Sequence, residues 1–536
     1  MTQLSRPEDG PAARPGSSAE APADLLIIGG GINGCGIARD AAGRGLSVIL
    51  AEKGDLASAT SSGSTKLFHG GLRYLEYFEF RLVREALRER ETLLRAMPHI
   101  SWPMRFVMPY SKEMRFDGDT PAARMLGRFL PWMRGRRPAW MIRLGLLLYD
   151  HLGGRKLLPR STSFNLPGTP EGAALQEQFE RAFEYSDCWV DDSRLVVLNA
   201  RDAAERGATI LTRSEVTGAR QQDGQWRVRL DGPAGAREVH ARMIVNAAGP
   251  WVGKVIHDTL RLDSHERVRL VRGSHIVTRR LFDHDKCYLL QGSDGRIVFA
   301  IPYERDFTLI GTTDAEHDDI ARAPECSEAE RDYLCRFASA YFARPVTAGD
   351  VVWSYAAVRP LHDTGPGSAT AATRDYTLTL DRSAGAPVLH IFGGKITTYR
   401  RLAEKALEKI GGALALRSGP WTAGVPLPGG DFSVDGAARL RIELMARHPF
   451  LTEAWAERLV RAYGSEAAQI MGDAQEAAEL GRDFGATLSE AELRWLMARE
   501  FAQRAEDVLW RRSKLGLRMR AQEVAALEDW MRRPAG

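Results

Sequence analysis

The chain has no apolar run near the ~20 residues that cross a bilayer, so it is expected to be soluble or peripheral. It has little cysteine. Cys35, Cys188, Cys287, Cys326 and Cys335 are scattered, odd in number and form no CxxC pair, which argues against a disulfide framework or a zinc site and points to a reducing compartment. Strong charge of either sign is lacking. The net charge of +4 over 536 residues gives no reason to expect nucleic acid. No internal repeat is visible. Residues 1–21 are rich in Pro, Ala, Gly and Ser and lack an apolar h-region, so a disordered tail is expected rather than a signal peptide. The length suits several domains with a large core.

What is present begins at Asp24, with DLLIIGGGINGCGIARDAAGRGLSVILAE. An apolar strand enters Gly29-x-Gly31-x-x-Gly34, a helix follows, a second strand closes the unit and Glu52 ends it. Gly29 makes the tight turn, Gly31 admits a pyrophosphate to the backbone, and Gly34 lets the helix pack on the strand. Free amides at the helix start (Asn33 among these residues) suit phosphate, and Glu52 is placed for ribose hydroxyls. The complete frame reads as an adenine-dinucleotide site. Alone it does not separate NAD from FAD.

Further on, apolar spacing predicts a helix over 80–97, another ending near Arg206, a strand at Thr209–Leu211 and a hairpin turning at Asp223–Gly224. Residues 100–190 read as irregular. MIVNAAGPW (243–251) is a strand running into small residues, with Gly249 where a side chain would obstruct a diphosphate. Residues 270–315 alternate as strands of an antiparallel sheet. VLHIFGGKITTYRRLAEKAL (388–407) is strand, glycine turn and helix. Beyond Pro426 the pattern is helical, with a Ser489-x-x-Glu492 capping box.

Taken in order, GGGINGCGIARDAAGRGLSV, ATSSGSTKLFHGGLRYLE, FEYSDCWVDDSRL, GSHIV, IGTTD, VRPL and IFGGKITTYR closely resemble the FAD-dependent, respiratory glycerol-3-phosphate dehydrogenases over residues 22–430. AEDVLWRRSKLGL extends the likeness into the helical tail. The fold implied is α/β: an FAD-binding Rossmann-like domain (about 22–98, 195–265 and 350–425), an inserted antiparallel-sheet substrate domain (about 99–194 and 266–349) and a C-terminal all-helical domain (426–536). The activity implied is oxidation of sn-glycerol 3-phosphate to dihydroxyacetone phosphate, by hydride transfer from C2 to flavin N5, with electrons passing to a membrane quinone such as ubiquinone. The resemblance also suggests a homodimer.

A phosphodianion bearing a secondary alcohol needs cationic forks and a base. Arg73 in HGGLRYLE and Arg359 in VRPL are the expected phosphate ligands, assisted by Tyr74. His275 and His69 are the candidate bases, with His275 favoured and His69 nearer the flavin or substrate oxygen. Lys395 is expected to face the reduced flavin's developing charge. Gly393, Gly394, Thr397 and Thr398, with Ser61, Ser62, Thr65 and Lys66, are expected to line the cofactor. No metal is expected.

Between Arg128 and Arg160, Trp132, Trp140, Leu146, Leu147 and Leu148 alternate with Arg134, Arg136, Arg137, Arg143, Arg155, Lys156 and Arg160. That mixture suits the inner face of a cytoplasmic membrane, where a peripheral enzyme meets quinone. The alternatives are a glycerophosphate oxidase using O2, a flavin amine oxidase, a non-catalytic flavoprotein and an NAD-linked dehydrogenase. The late motifs at 243–251 and 391–399 disfavour the last, and the arginine pair disfavours amine substrates.

Overall fold

The computed structural model describes residues 22–112, 114–115, 120–129, 137–292, 295–362 and 376–533. The expected N-terminal tail, together with Trp132, Arg134 and Arg136, lies outside them.

Two sheets organise the chain. In the first, four parallel strands flank the opening strand in the order Val388–Phe392, Gly235–Asn246, Ala23–Ile28, Val48–Ala51 and Thr209–Leu211. Thr377–Asp381 adds an antiparallel edge, and the hairpin Glu215–Gln222/Gln225–Gly232 hangs from Gly235–Asn246. The strands are short apolar runs buried on both faces, as a parallel sheet requires. Helices Ile32–Gly43, Asp192–Glu205 and Tyr399–Gly411 pack together over it.

The second sheet has ten strands and forms the floor of the substrate region. It is antiparallel except where Cys287–Gln291 runs parallel to Ser101–Tyr110. Two of its longest strands, Ser101–Tyr110 and Arg181–Val190, pair over their whole length in the stretch that reads as irregular in sequence. Pro103, Pro109 and Trp102 break the usual alternation there, and the pairing is set by partners far away in the chain.

The expected return to the FAD-binding domain at residue 350 is displaced. Val351–His362 pairs with Val268–Arg279 in the floor sheet, and the first sheet resumes only at Thr377. Leu67–Phe68 also joins the floor, by pairing with Arg181–Val190. The two domains therefore exchange strands, and the segment Thr60–Phe68 lies at their junction.

Helices Ala437–Arg447, Glu453–Tyr463, Ala467–Met471, Glu490–Arg499 and Ala521–Arg532 enclose a separate apolar core. Ser489 caps its helix by accepting from the Glu492 amide. Buried ion pairs dock this domain on the first: Arg194 with Glu500, Arg512 with Asp55 and Arg201 with Glu466. Among the described residues no helix is long and apolar enough to cross a membrane.

Candidate active site

A single cavity of about 1310 Å³ runs from the glycine turn of the first sheet to the middle of the floor sheet. It exceeds the ~300–1,000 Å³ of ordinary small-molecule pockets, so it has room for a large cofactor with a second ligand beside it.

At one end the glycines do what their spacing requires. A Cβ on Gly29 would stand 2.6 Å from the Ala247 carbonyl oxygen, one on Gly31 3.1 Å from Ser61 Oγ, and one on Gly34 2.0 Å from the Gly29 carbonyl oxygen. Gly34 therefore faces the turn rather than the cavity and sets how closely the helix approaches it. Gly31 is the N-cap and offers no side-chain cap of its own; the Ile32 amide donates to Ser61 Oγ at 3.0 Å. Glu52 accepts from the amides of Gly30 (2.6 Å) and Gly54 (2.7 Å), and burial raises its pKa against those bonds. Beside it Lys53 lies 3.7 Å above the Trp251 ring, a pair that sequence reasoning missed because Lys53 follows the strand Val48–Ala51 while Trp251 ends the turn Gly249–Trp251, far away in the chain.

Midway, Asn33 Nδ2 donates to the Gly393 carbonyl at 3.1 Å, while its buried Oδ1 has no partner. Gly249, Gly393 and Gly394 adopt left-handed φ values of 56°, 71° and 102°. Ser61, Ser62, Thr65, Gly249, Gly393, Gly394 and Thr397 all line the cavity. Glycines that keep the main chain bare along the cavity, and a helix start whose N-cap Gly31 has no side chain, fit an elongated phosphate-bearing cofactor such as FAD, and the unpartnered Asn33 Oδ1 can accept from a donor such as a hydroxyl of that cofactor.

Two expected cofactor contacts lie elsewhere. Lys66 is buried away from the cavity; its Nζ pairs with Asp192 at 2.7 Å and donates to the Ser62 carbonyl at 3.1 Å. The polar, small-residue loop at 57–66 gave no hint of a distant acid. Thr398 is buried at the start of its helix, behind Thr397.

At the far end the cavity is lined by His69, Arg73, Tyr74, His275, Arg359 and Lys395. The turn Leu72–Tyr77 presents Arg73 and Tyr74, and Lys395 Nζ sits 3.9 Å above the Tyr74 ring. Arg359 pairs with Asp314 and donates to Thr312 Oγ1 (3.2 Å) and the Thr313 carbonyl (3.0 Å). A phosphate therefore meets an arginine already oriented, with its carboxylate partner at the rim. Arg137, expected on a membrane face, is instead buried in the cavity wall, bonded to Glu76 and to Gln291 Oε1.

His275 lies on the strand Val268–Arg279, flanked by Gly311 and Tyr355 on the neighbouring strands. Its Nε2 is 3.0 Å from Thr65 Oγ1 and its buried Nδ1 has no partner. Burial first, then the cations of Arg359 and Lys66, hold its pKa well below 6.5, so it stands neutral at physiological pH. The IGTTD motif supplies Gly311, Thr312 and Asp314; it was legible as a motif, but not as the frame of Arg359 and His275.

Residues 24–400 match the family model described as FAD dependent oxidoreductase, and 420–532 the C-terminal domain of alpha-glycerophosphate oxidase. Among curated relatives, a D-erythritol 1-phosphate dehydrogenase of Brucella abortus is 48% identical, covering 95% of this chain and 97% of that one. The aerobic glycerol-3-phosphate dehydrogenase of Escherichia coli is 45% identical with the same coverage. The structure of a glycerol-3-phosphate dehydrogenase from Bacillus halodurans complexed with FAD matches with a TM-score of 0.72 at 26% identity, over 96% of this chain and 90% of that one. With the glycine cradle and the cationic end of the cavity in place, the chain belongs to the FAD-dependent glycerol-3-phosphate dehydrogenase family of oxidoreductases, and FAD is its cofactor.

Proposed function

We propose that this enzyme oxidises sn-glycerol 3-phosphate to dihydroxyacetone phosphate and delivers the electrons to a membrane quinone. The observation that carries the reading is the meeting of Arg73, Arg359, Lys395 and a neutral His275 around one end of the cavity. Arg359 and Arg73 bind the phosphate, with the Tyr74 hydroxyl assisting. FAD supplies the hydride acceptor. The His275 imidazole, which lines the cavity, takes the proton of the C2 hydroxyl. As phosphate arrives, its charge offsets that of Arg359, which raises the basicity of His275 when a base is needed. Lys395 stabilises negative charge that develops beside it, and His69 holds the substrate oxygen.

The 48% relative favours a second reading, a longer polyol phosphate such as D-erythritol 1-phosphate, which shares the phosphate and adjacent secondary alcohol. Beyond His275 the cavity continues past Phe299 and Leu289. Anaerobic addition of each substrate distinguishes them by which bleaches the flavin faster. His275→Asn should slow bleaching by about 10²–10⁴-fold; an unchanged rate and pH profile would overturn the base assignment. Reoxidation by a quinone analogue faster than by air supports a quinone acceptor; the reverse supports an oxidase.

For membrane contact, the helix Ala139–Leu152 turns Ile142, Leu146 and Tyr149 inward and leaves Trp140 (53%), Leu144 (49%) and Leu147 (48%) exposed. Phe78, Phe80, Met125 and Phe129 extend the apolar exposure near it. We assign this face to the inner leaflet of the cytoplasmic membrane. Loss of vesicle binding by Trp140→Asp/Leu147→Asp, with flavin content retained, is the expected result; retained binding refutes it.

A further inference from the structure

The C-terminal helical domain has no part in the chemistry above, yet Trp510 and Lys514 line the active-site cavity. Trp510 lies in the distorted turn Asp507–Arg512, which is fastened to the FAD-binding domain by Arg511 and Arg512 on Asp55 and by Arg213 on Asp507. From there a continuous stack of rings crosses the domain boundary. Trp510 stacks on Trp353 with centroids 4.5 Å apart, Trp353 meets Tyr355 at 5.0 Å, and Tyr355 stacks on His275 at 4.8 Å and 13°. Trp353 and Tyr355 share one face of a strand, and Tyr355 is the cross-strand partner of His275.

A glycine closes each end. A Cβ on Gly311 would stand 2.0 Å from His275 Cδ2, and one on Gly516 would stand 2.6 Å from the Trp510 ring. Neither ring has room to slide outward if a side chain is added, and neither could lie flat without the glycine beneath it. Tyr355 is also fixed in the plane of the stack, because its hydroxyl donates to the Ser64 carbonyl at 2.9 Å.

We propose that Trp510 is a positioning residue for the reaction: the C-terminal domain holds the His275 imidazole in place, and keeps water from it, through the Trp353–Tyr355 stack. The inference rests on the assignment of His275 as base. The groups that face His275 are Thr65, Lys66 (paired with Asp192) and Tyr355 from one side, and Arg359 (paired with Asp314) and Gly311 from the other. None of them belongs to the C-terminal domain; its Lys514, which lines the same cavity and donates from Nζ to the Trp510 carbonyl at 2.7 Å, is kept in every variant, so removing the Trp510 ring changes packing and hydration without removing a charge.

The test uses full-length, FAD-loaded enzyme. Trp510→Ala should lower kcat about ten- to a hundredfold by loosening the base, while KM for glycerol 3-phosphate stays within about threefold. Water reaching the imidazole should move the acid limb of the pH–rate profile upward by about half a pH unit or more, towards 6.5. Trp510→Phe should recover most of the rate. Gly516→Ala presses the ring from the far side and should shift the limb without deleting an aromatic, so it carries the test if Trp510→Ala folds poorly. Unchanged kcat and pH profile in Trp510→Ala and Gly516→Ala, with His275→Asn impaired, overturns the positioning role. An unimpaired His275→Asn would instead sink the base assignment on which it rests.

Discussion

Glu500 is the place where the docking of the C-terminal domain can be tested most sharply. Arg194 projects from the helix Asp192–Glu205 into the domain interface, where it and Glu500 are 1% and 0% exposed. Its guanidinium bonds both carboxylate oxygens, one at 2.9 Å, and the Ala462 carbonyl at 2.8 Å, above the Tyr463 ring. In Glu500→Gln the shape is kept and the charge is lost. A carboxamide oxygen can still accept from one N–H, but its NH2 then points at another guanidinium N–H, leaving a cation buried without an anion. Breaking a buried pair in this way costs about 3–5 kcal/mol, against about 0.2–1 kcal/mol for a solvated pair. Replacing both residues, as Arg194→Met/Glu500→Met, removes both desolvation costs and should lie within about 2 kcal/mol of wild type. Urea unfolding followed by tryptophan fluorescence and by flavin release measures both, the two probes being needed because a multidomain chain need not unfold in one step. A single-mutant loss below about 1 kcal/mol, or a double mutant as unstable as the single, would refute the burial argument.

Arg359→Lys keeps the charge but loses the fork; KM for glycerol 3-phosphate should rise roughly ten- to a hundredfold with a smaller change in kcat, measured by steady-state kinetics. Gly34→Ala puts a methyl 2.0 Å from the Gly29 carbonyl oxygen, so the helix must move by about an ångström or more to restore contact distance, and the purified protein should hold at least tenfold less flavin by visible absorbance. His99 is buried with its pKa depressed to about 3, chiefly by burial and then by Arg194, so its folded form binds a proton less readily than the unfolded chain does. Stability is therefore lost as pH falls below the unfolded value near 6.5, and His99→Gln should flatten that fall between pH 6 and 4 by about 1.4 kcal/mol per pH unit, read from urea midpoints.

The sequence by itself determined whatever is local. The strand–glycine–helix–strand unit from Asp24 to Glu52 carries its own turn, packing and dipole requirements, so its role was readable from spacing, and the same holds for the glycine turn at 393–394, the Thr209–Leu211 strand and the capped helix at Ser489. The ordered motifs also gave the family and some of the residues that line the cavity. What only the tertiary structure decided depends on partners distant in the chain. The floor-sheet strands Ser101–Tyr110 and Arg181–Val190 lack clean alternation, because each strand's register is set by its neighbour's hydrogen bonds rather than by its own pattern. Lys66 reads as a cofactor ligand until Asp192 is placed beside it, and Arg137 reads as a membrane cation until Glu76 and Gln291 bury it. Charge can be counted from a sequence, but its partner cannot. Trp510 and His275 show the same limit for packing: two motifs in different domains are joined by the stack of Trp353 and Tyr355, a contact that exists only because the helical domain docks on the floor sheet.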